Sequence, residues 1–139
     1  MRIGDSAKVT TGHTLDLTRS ISIGDFSIVA GKASQFWTHG YYHTPDPADR
    51  YRVDGRISIG RNAYVGSACV FSAGVHVADD VMIGAHSSVS RSLEEPGLYV
   101  SQPLRRLELD AEKARSQLER VDEERVCEPV YLKDRRRRT

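Results

Sequence analysis

Two histidines, His39 and His43, stand four residues apart in the stretch QFWTHGYYHTPDPADRYRVDGR, residues 35–56. Imidazole changes charge near neutral pH, so either one suits the removal of a proton from a hydroxyl group as a bond forms to its oxygen. The same stretch holds the only tryptophan, Trp37, and three of the six tyrosines, Tyr41, Tyr42 and Tyr51. Trp37, Tyr41 and Tyr42 offer flat apolar faces of the kind that sugar rings favour, and they could equally serve in packing against a neighbouring subunit. Pro45 and Pro47 bar regular strand pairing there, and Gly40 and Gly55 mark bends. A base, aromatic platforms and an irregular backbone need a rigid support, and the rest of the chain supplies the pattern for one.

From residue 57 onward, Ile59, Val65, Phe71, Val77, Ile83 and Val89 recur every six residues. Ile23 and Val29 share that phase upstream. Ile3, Val9 and Leu15 form a shorter series offset by two residues, which predicts a small bulge near residues 17–22. A six-residue step suits one short strand and a corner, with the lead aliphatic residue turned inward. Three such faces close a triangular coil of about 18 residues, and stacked coils pair their strands in parallel. A single coil cannot bury its interior, and about four to five are present. The fold class is therefore an all-β solenoid, a parallel β-helix, occupying residues 1–103. An excursion over about residues 35–56 leaves the stack. Because Ile59 lies 36 residues beyond Ile23, a multiple of six, the excursion is expected to re-enter in register.

Beyond Pro103 the period changes. Leu104, Leu107, Ala111, Ala114, Leu118 and Val121 follow three- and four-residue steps, which predicts a C-terminal α-helix over about 105–125. That helix would cap the open end of the stack, followed by a basic tail to residue 139 with the run Arg135–Arg138. Terminal runs of this kind are mostly solvated and frayed. The formal net charge of +1 over 139 residues gives no reason to expect a nucleic-acid partner. Cys69 and Cys127 form neither a disulfide framework nor a zinc site by spacing. No apolar run reaches the length of a membrane span, the start MRIGDSAK does not read as a signal peptide, and a cytoplasmic protein is the expectation.

Together, the hexads, the THGYYH excursion, ISIGRNAYVGSACV and the ending VSRSLEEPGLYVSQPLRRL resemble the hexapeptide-repeat acyltransferases over residues 20–107. The likeness is to the galactoside, maltose and colanic-acid-type O-acetyltransferases. It implies a left-handed coil, acetyl-CoA as acyl donor, a sugar or glycan acceptor, a homotrimer with sites between subunits, and no metal. Within it, His39 or His43 corresponds to the catalytic base. Ser67, Ala85, Arg91 and Arg105 match positions that meet the donor, where arginine suits phosphate oxygens. His13 and Asp16 match the acceptor side, joined by Trp37 and Tyr41. His76 and His86 read as surface residues.

Two other classes remain open. A γ-type carbonic anhydrase shares the coil but needs three histidines on zinc. A non-catalytic scaffold would use the excursion to recognise a partner.

Overall fold

A computed structural model of the chain describes residues 1–101 and 105–108, positions 110, 113 and 116, and the strands 119–121 and 130–132. It divides into two compact units, Met1–Leu107 and Glu108–Thr139.

The first unit is a three-faced parallel β-helix. Coil 1 comprises β1 (Arg2–Ile3), β2 (Lys8–Val9) and β3 (Thr14–Leu15). Coil 2 comprises β4 (Ile21–Ile23), β5 (Ile28–Val29) and β6 (Gln35–Phe36). The excursion then folds as an antiparallel hairpin of β7 (His39–Tyr42) and β8 (Tyr51–Asp54). Coil 3 is β9 (Ile57–Ile59), β10 (Tyr64–Val65) and β11 (Val70–Phe71). Coil 4 is β12 (His76–Val77), β13 (Val81–Ile83) and β14 (Ser88–Val89). A fifth level begins with β15 (Gly97–Val100) and ends in β16 (Arg105–Leu107), which runs antiparallel to it.

Stacking produces three sheets. The first carries β1, β4, β9 and β12, and the third carries β3, β6, β11 and β14. The second runs from β2 through β5, β10, β13 and β15 to β16. The lead hexad residues point inward and stack like on like: Ile23 on Ile59 on Val77, Val29 on Val65 on Ile83, and Phe36 on Phe71 on Val89. All nine are buried. Phe36 and Phe71 lie face to face, with centroids 4.5 Å apart and planes within 3°. Burying such a ring removes its whole apolar surface from water, a gain of about 1.5–3 kcal/mol per side chain.

The corners repeat as faithfully as the strands. Ser6, Phe26, Asn62 and Asp80 turn the chain from the first sheet to the second, each with φ between 53° and 60°. Gly12, Ala33, Ala68 and His86 do the same at the next corner, also with positive φ. An L-residue in this region costs about 1–2 kcal/mol, which the hydrogen-bonded ladders on both sides must offset.

The period is not perfect, and the deviations decide where chemistry sits. Leu15 to Ile23 is eight residues where a regular coil has six, which accounts for the two-residue offset at the expected bulge. The chain re-enters the stack in register, as expected, with Ile23 paired to Ile59, although two of the steps between them depart from six residues. Val29 to Phe36 is seven residues and Phe36 to Ile59 is twenty-three. One extra residue at a corner and seventeen in the excursion add up to one coil's length by coincidence, so the residue leading into the hairpin is Phe36 and not Gln35.

The expected helix over 105–125 needs correction. Arg105–Leu107 is the strand β16, and Glu119–Val121 (β17) pairs antiparallel with Val130–Leu132 (β18). Helical geometry among the described residues of that stretch is confined to Lys113 and Ser116. The unpaired edge of β15 needs backbone partners, and satisfying it outweighs the helix-like spacing of Leu104 and Leu107. The end of the expected helix near Arg125, Cys127 and the run Arg135–Arg138 lie outside the described residues.

Candidate active site at the base of the hairpin

The hairpin leaves coil 2 at Thr38 and returns at Gly55, where the Gly55 amide donates to the Thr38 carbonyl at 2.9 Å. Gly55 is pressed against coil 3. A Cβ there would come within 2.3 Å of the Gly74 backbone nitrogen, so no larger residue fits.

Beneath this neck lies Asp16, just after β3. Its Oδ2 accepts from His39 Nδ1 at 2.6 Å, from the amide and hydroxyl of Thr38 at 2.9 Å each, and from the His39 amide at 3.1 Å. Its Oδ1 accepts from the Thr18 hydroxyl at 2.7 Å and the Thr18 amide at 3.1 Å. Burial works against ionisation here, but the Thr18 donors, His39 and Thr38 together hold the Asp16 carboxyl well below the usual carboxylate range. An ionised Asp16 can only accept, so His39 carries its proton on Nδ1 and leaves Nε2 as the acceptor. The Thr18 oxygen, 3.2 Å from Nδ1, shares that same proton.

Thr38 is fully buried and ties the cradle together. Its hydroxyl bridges to Asp16 and accepts from the Arg19 amide at 3.0 Å. Arg19 Nε in turn meets Asp54 Oδ2 at 2.8 Å, and Asp54 is the cross-strand partner of His39. Arg52 Nε reaches Asp54 Oδ1 at 2.8 Å. Burial opposes the charge on Asp54, yet Arg52 and Arg19 hold its carboxyl below its ordinary value. Thr18, Arg19, Thr38 and Asp54 were not singled out from sequence. The signal for two of them was the two-residue slip between Leu15 and Ile23, whose extra residues supply Thr18 and Arg19.

The other expected site residues separate into groups. His39 and Asp16 are joined directly, although Asp16 was expected at the acceptor. Tyr41 meets His39 edge to face at 6.3 Å and is well exposed. His43 follows β7, is exposed, and has no hydrogen-bond partner among the described residues. Trp37 is partly exposed and donates Nε1–H to Gln35 Oε1 at 2.9 Å. His13 is occupied within a corner: Nδ1 accepts from the Ser34 amide at 3.2 Å, and Nε2 lies 3.1 Å from the Thr10 hydroxyl. Ser67 and Ala85 stack at the corner between the second and third sheets of coils 3 and 4, and the Ser67 side chain fills the space that a side chain on Gly31 would need. Arg91, exposed, follows β14 at the opposite edge of the third sheet, on the same corner column as the hairpin neck. Arg105 contributes backbone to β16. Among the described residues of the single chain, no three His, Cys, Asp or Glu side chains gather as a metal ion would require.

No protein-family model matches the chain, and no curated protein matches it. Solved structures do. The hexapeptide-repeat-containing acetyltransferase VCA0836 from Vibrio cholerae superposes with a TM-score of 0.65 at 25% identity, over 76% of this chain and 60% of that one. The chain has the hexapeptide-repeat acetyltransferase fold. That fold is the left-handed β-helix, in which the positive-φ corners described above have their place. A maltose O-acetyltransferase from Clostridium difficile 630 matches with a TM-score of 0.64 at 22% identity, over 76% and 57% of the two chains. A galactoside acetyltransferase in complex with coenzyme A gives 0.62 at 18%, over 82% and 68%. The chain thus spans less than two thirds of the length of the Vibrio and Clostridium proteins. No helix among the described residues is long and apolar enough to cross a membrane.

Proposed function

We propose that the protein is an acetyl-CoA-dependent acyltransferase that moves an acetyl group to a hydroxyl of a sugar or glycan, with His39 as general base. The observation that carries this reading is the 2.6 Å pairing of His39 Nδ1 with Asp16, which commits one ring nitrogen and frees the other. Nε2 takes the acceptor hydroxyl proton while the oxygen attacks the thioester carbonyl carbon. The tetrahedral adduct then collapses, the carbon–sulfur bond breaks, and the departing thiolate recovers the proton from the imidazolium. Atoms and charge balance, and no metal or redox partner takes part. Asp16 acts through His39 by fixing its tautomer and favouring the imidazolium that forms.

In support, the Vibrio protein is also known complexed with acetyl coenzyme A, and here Ser67, Ala85 and Arg91 flank the third sheet on its two edges. A pantetheine arm along that face would bring its thioester toward the hairpin neck. Arg105 is the residue that the resemblance assigns to the donor phosphates. Trp37 and Tyr41 would flank the acceptor, and copies of the chain in a homotrimer would close the groove. His43 is the runner-up base, but no hydrogen bond among the described residues orients its ring.

The test follows thiol release from acetyl-CoA with a panel of sugar acceptors. His39→Ala should lower kcat by about 10²–10⁴-fold, the usual contribution of a positioned base, without changing acetyl-CoA affinity. Full activity in His39→Ala with loss in His43→Ala would move the base to His43. No turnover and no binding of acetyl-CoA would leave the scaffold reading.

A further inference from the structure

The hairpin is two-sided. Side chains alternate across a strand, so the paired positions His39↔Asp54 and Tyr41↔Arg52 share one face. Tyr42, Tyr51 and Val53 take the other, where the two tyrosine rings stack at 5.3 Å. The base therefore shares its surroundings with charged groups that balance in number, Asp16 and Asp54 against Arg19 and Arg52, but not in exposure, because both carboxylates are inside. One carboxylate, Asp54, is gripped by two guanidinium groups, Arg19 and Arg52. Arg19 engages it through Nε alone, and neither of its terminal nitrogens meets an acceptor among the described residues. Arg52 donates from Nη2 to Asp54 Oδ2 at 2.9 Å and brings Nε within 2.8 Å of Oδ1 without hydrogen-bonding to it, and Nη1 meets no acceptor among the described residues. The Asp54 side chain is only 14% exposed, whereas those of Arg19 and Arg52 are 55% and 48% exposed. The negative partner is thus inside and the spare donors face outward. Asp46 and Asp49, the other carboxylates of the excursion, sit in the short turn at the far end of the hairpin, where Asp46 caps the Ala48 amide.

From this arrangement we infer that Arg19 and Arg52 form an anion subsite beside His39, and that the acceptor is an anionic sugar carrying a phosphate group. The inference rests on the reading of His39 as an acyl-transfer base. A phosphate could in principle belong to the donor instead. Geometry argues for the acceptor, because the base must stand at the thioester, and the pantetheine arm holds the donor's phosphates many bonds away from that carbon. Arg52 is only one step of the ladder beyond the His39 position on the same face, about 7 Å along the strand. A planar guanidinium with unspent donors reads phosphate oxygens in pairs, and the Asp54 carboxylate keeps both groups rigid.

Calorimetric titration of the full chain with glucose 6-phosphate beside glucose tests this at low salt. Glucose 6-phosphate should bind at least about 10-fold more tightly than glucose, the advantage of charge-assisted hydrogen bonds. Arg52→Gln and Arg19→Gln should each remove most of that preference, and Arg52→Lys, which keeps the charge and the fold, should retain part of it. Acetyl-CoA affinity should change less than about twofold in all three, whereas a donor-phosphate site would lower it by the factor lost for glucose 6-phosphate. Equal binding of the two sugars, binding of neither, or a preference that survives both glutamine variants overturns the subsite. Acetyl transfer, read separately by thiol release, keeps the two ideas apart. A phosphate preference without transfer sinks the transferase reading alone, and transfer to glucose without a phosphate preference sinks the subsite alone.

Discussion

Coils 3 and 4 and the neck of the hairpin are built from the same chain by opposite rules. In the coils every residue has an equivalent one level up, Tyr64 over Met82 or Val70 over Ser88, and neighbours are eighteen apart. At the neck the side-chain contacts do not repeat from level to level. Asp16, Thr18, Arg19, Thr38, His39 and Asp54 occur once each and meet across separations of up to 35 residues. Repetition makes a scaffold that many interchangeable contacts support. Departure from repetition makes a site in which each contact has a single job. Loss of a coil residue should therefore act through stability and spare the chemistry of what still folds, while loss of a neck residue should cost the chemistry more than it costs stability.

The largest effects test that division directly. Phe71→Ala removes a fully buried ring from the Phe36 stack and should cost about 3–5 kcal/mol in urea unfolding. Any acetyl transfer remaining should scale with the folded fraction. Deleting Thr18 and Arg19 together restores a regular six-residue step. Circular dichroism should still report the β-helix, but transfer should fall by about 10²-fold or more through loss of His39 positioning. If activity survives the deletion, the distinction between frame and neck collapses. Next, Thr38→Val strips Asp16 of a hydroxyl donor and leaves the Arg19 amide without its acceptor. A cost of about 1–3 kcal/mol is expected, with kcat falling more than KM rises.

A pH series sharpens the contrast on the acid side. Asp16 is held below its unfolded value, near 3.9, so its stabilising effect is complete above that pH and fades as pH falls through the folded value. Asp54 has the same sign. The urea midpoint of Asp16→Asn should be lower than that of wild type at pH 6, and the two curves should converge as pH drops below about 4. Curves that stay parallel would mean that the neck does not hold the carboxylate ionised. The smallest effect belongs to the coil surface. Ser58 Oγ lies 2.7 Å from His76 Nδ1 on an exposed ladder position, and Ser58→Ala should change stability by less than about 0.5 kcal/mol and transfer not at all.

The same division explains what the amino-acid sequence revealed. The inward stack from Ile59 to Val89 was legible because one residue type in one phase is all that a coil demands. The hairpin region was legible as a place, since its Trp, Tyr and Pro residues break that phase. Its wiring was not. Nothing in the types of Thr18 or Thr38 announces that both will converge on Asp16, because that convergence depends on an insertion that only register resolves. Asp16 itself was expected to face an acceptor and turned out to be enclosed by hydrogen-bond donors. The C-terminal segment failed for a different reason. Leu104 and Leu107 have helical spacing, but Arg105–Leu107 lies beside an unfilled strand edge, and long-range backbone pairing overrode local pattern.

That reversed strand has a further consequence. A solenoid has polarity, and its last rung offers the same parallel template that its first rung could occupy. Left bare, such an end would admit the beginning of another molecule, and head-to-tail addition could continue without closure into a fibre. By running the other way, β16 presents on the second sheet a hydrogen-bond pattern that β2 of a second molecule, arriving in parallel, does not match. Three residues thus make the two ends of the second sheet unlike and remove from that face the parallel template for such growth.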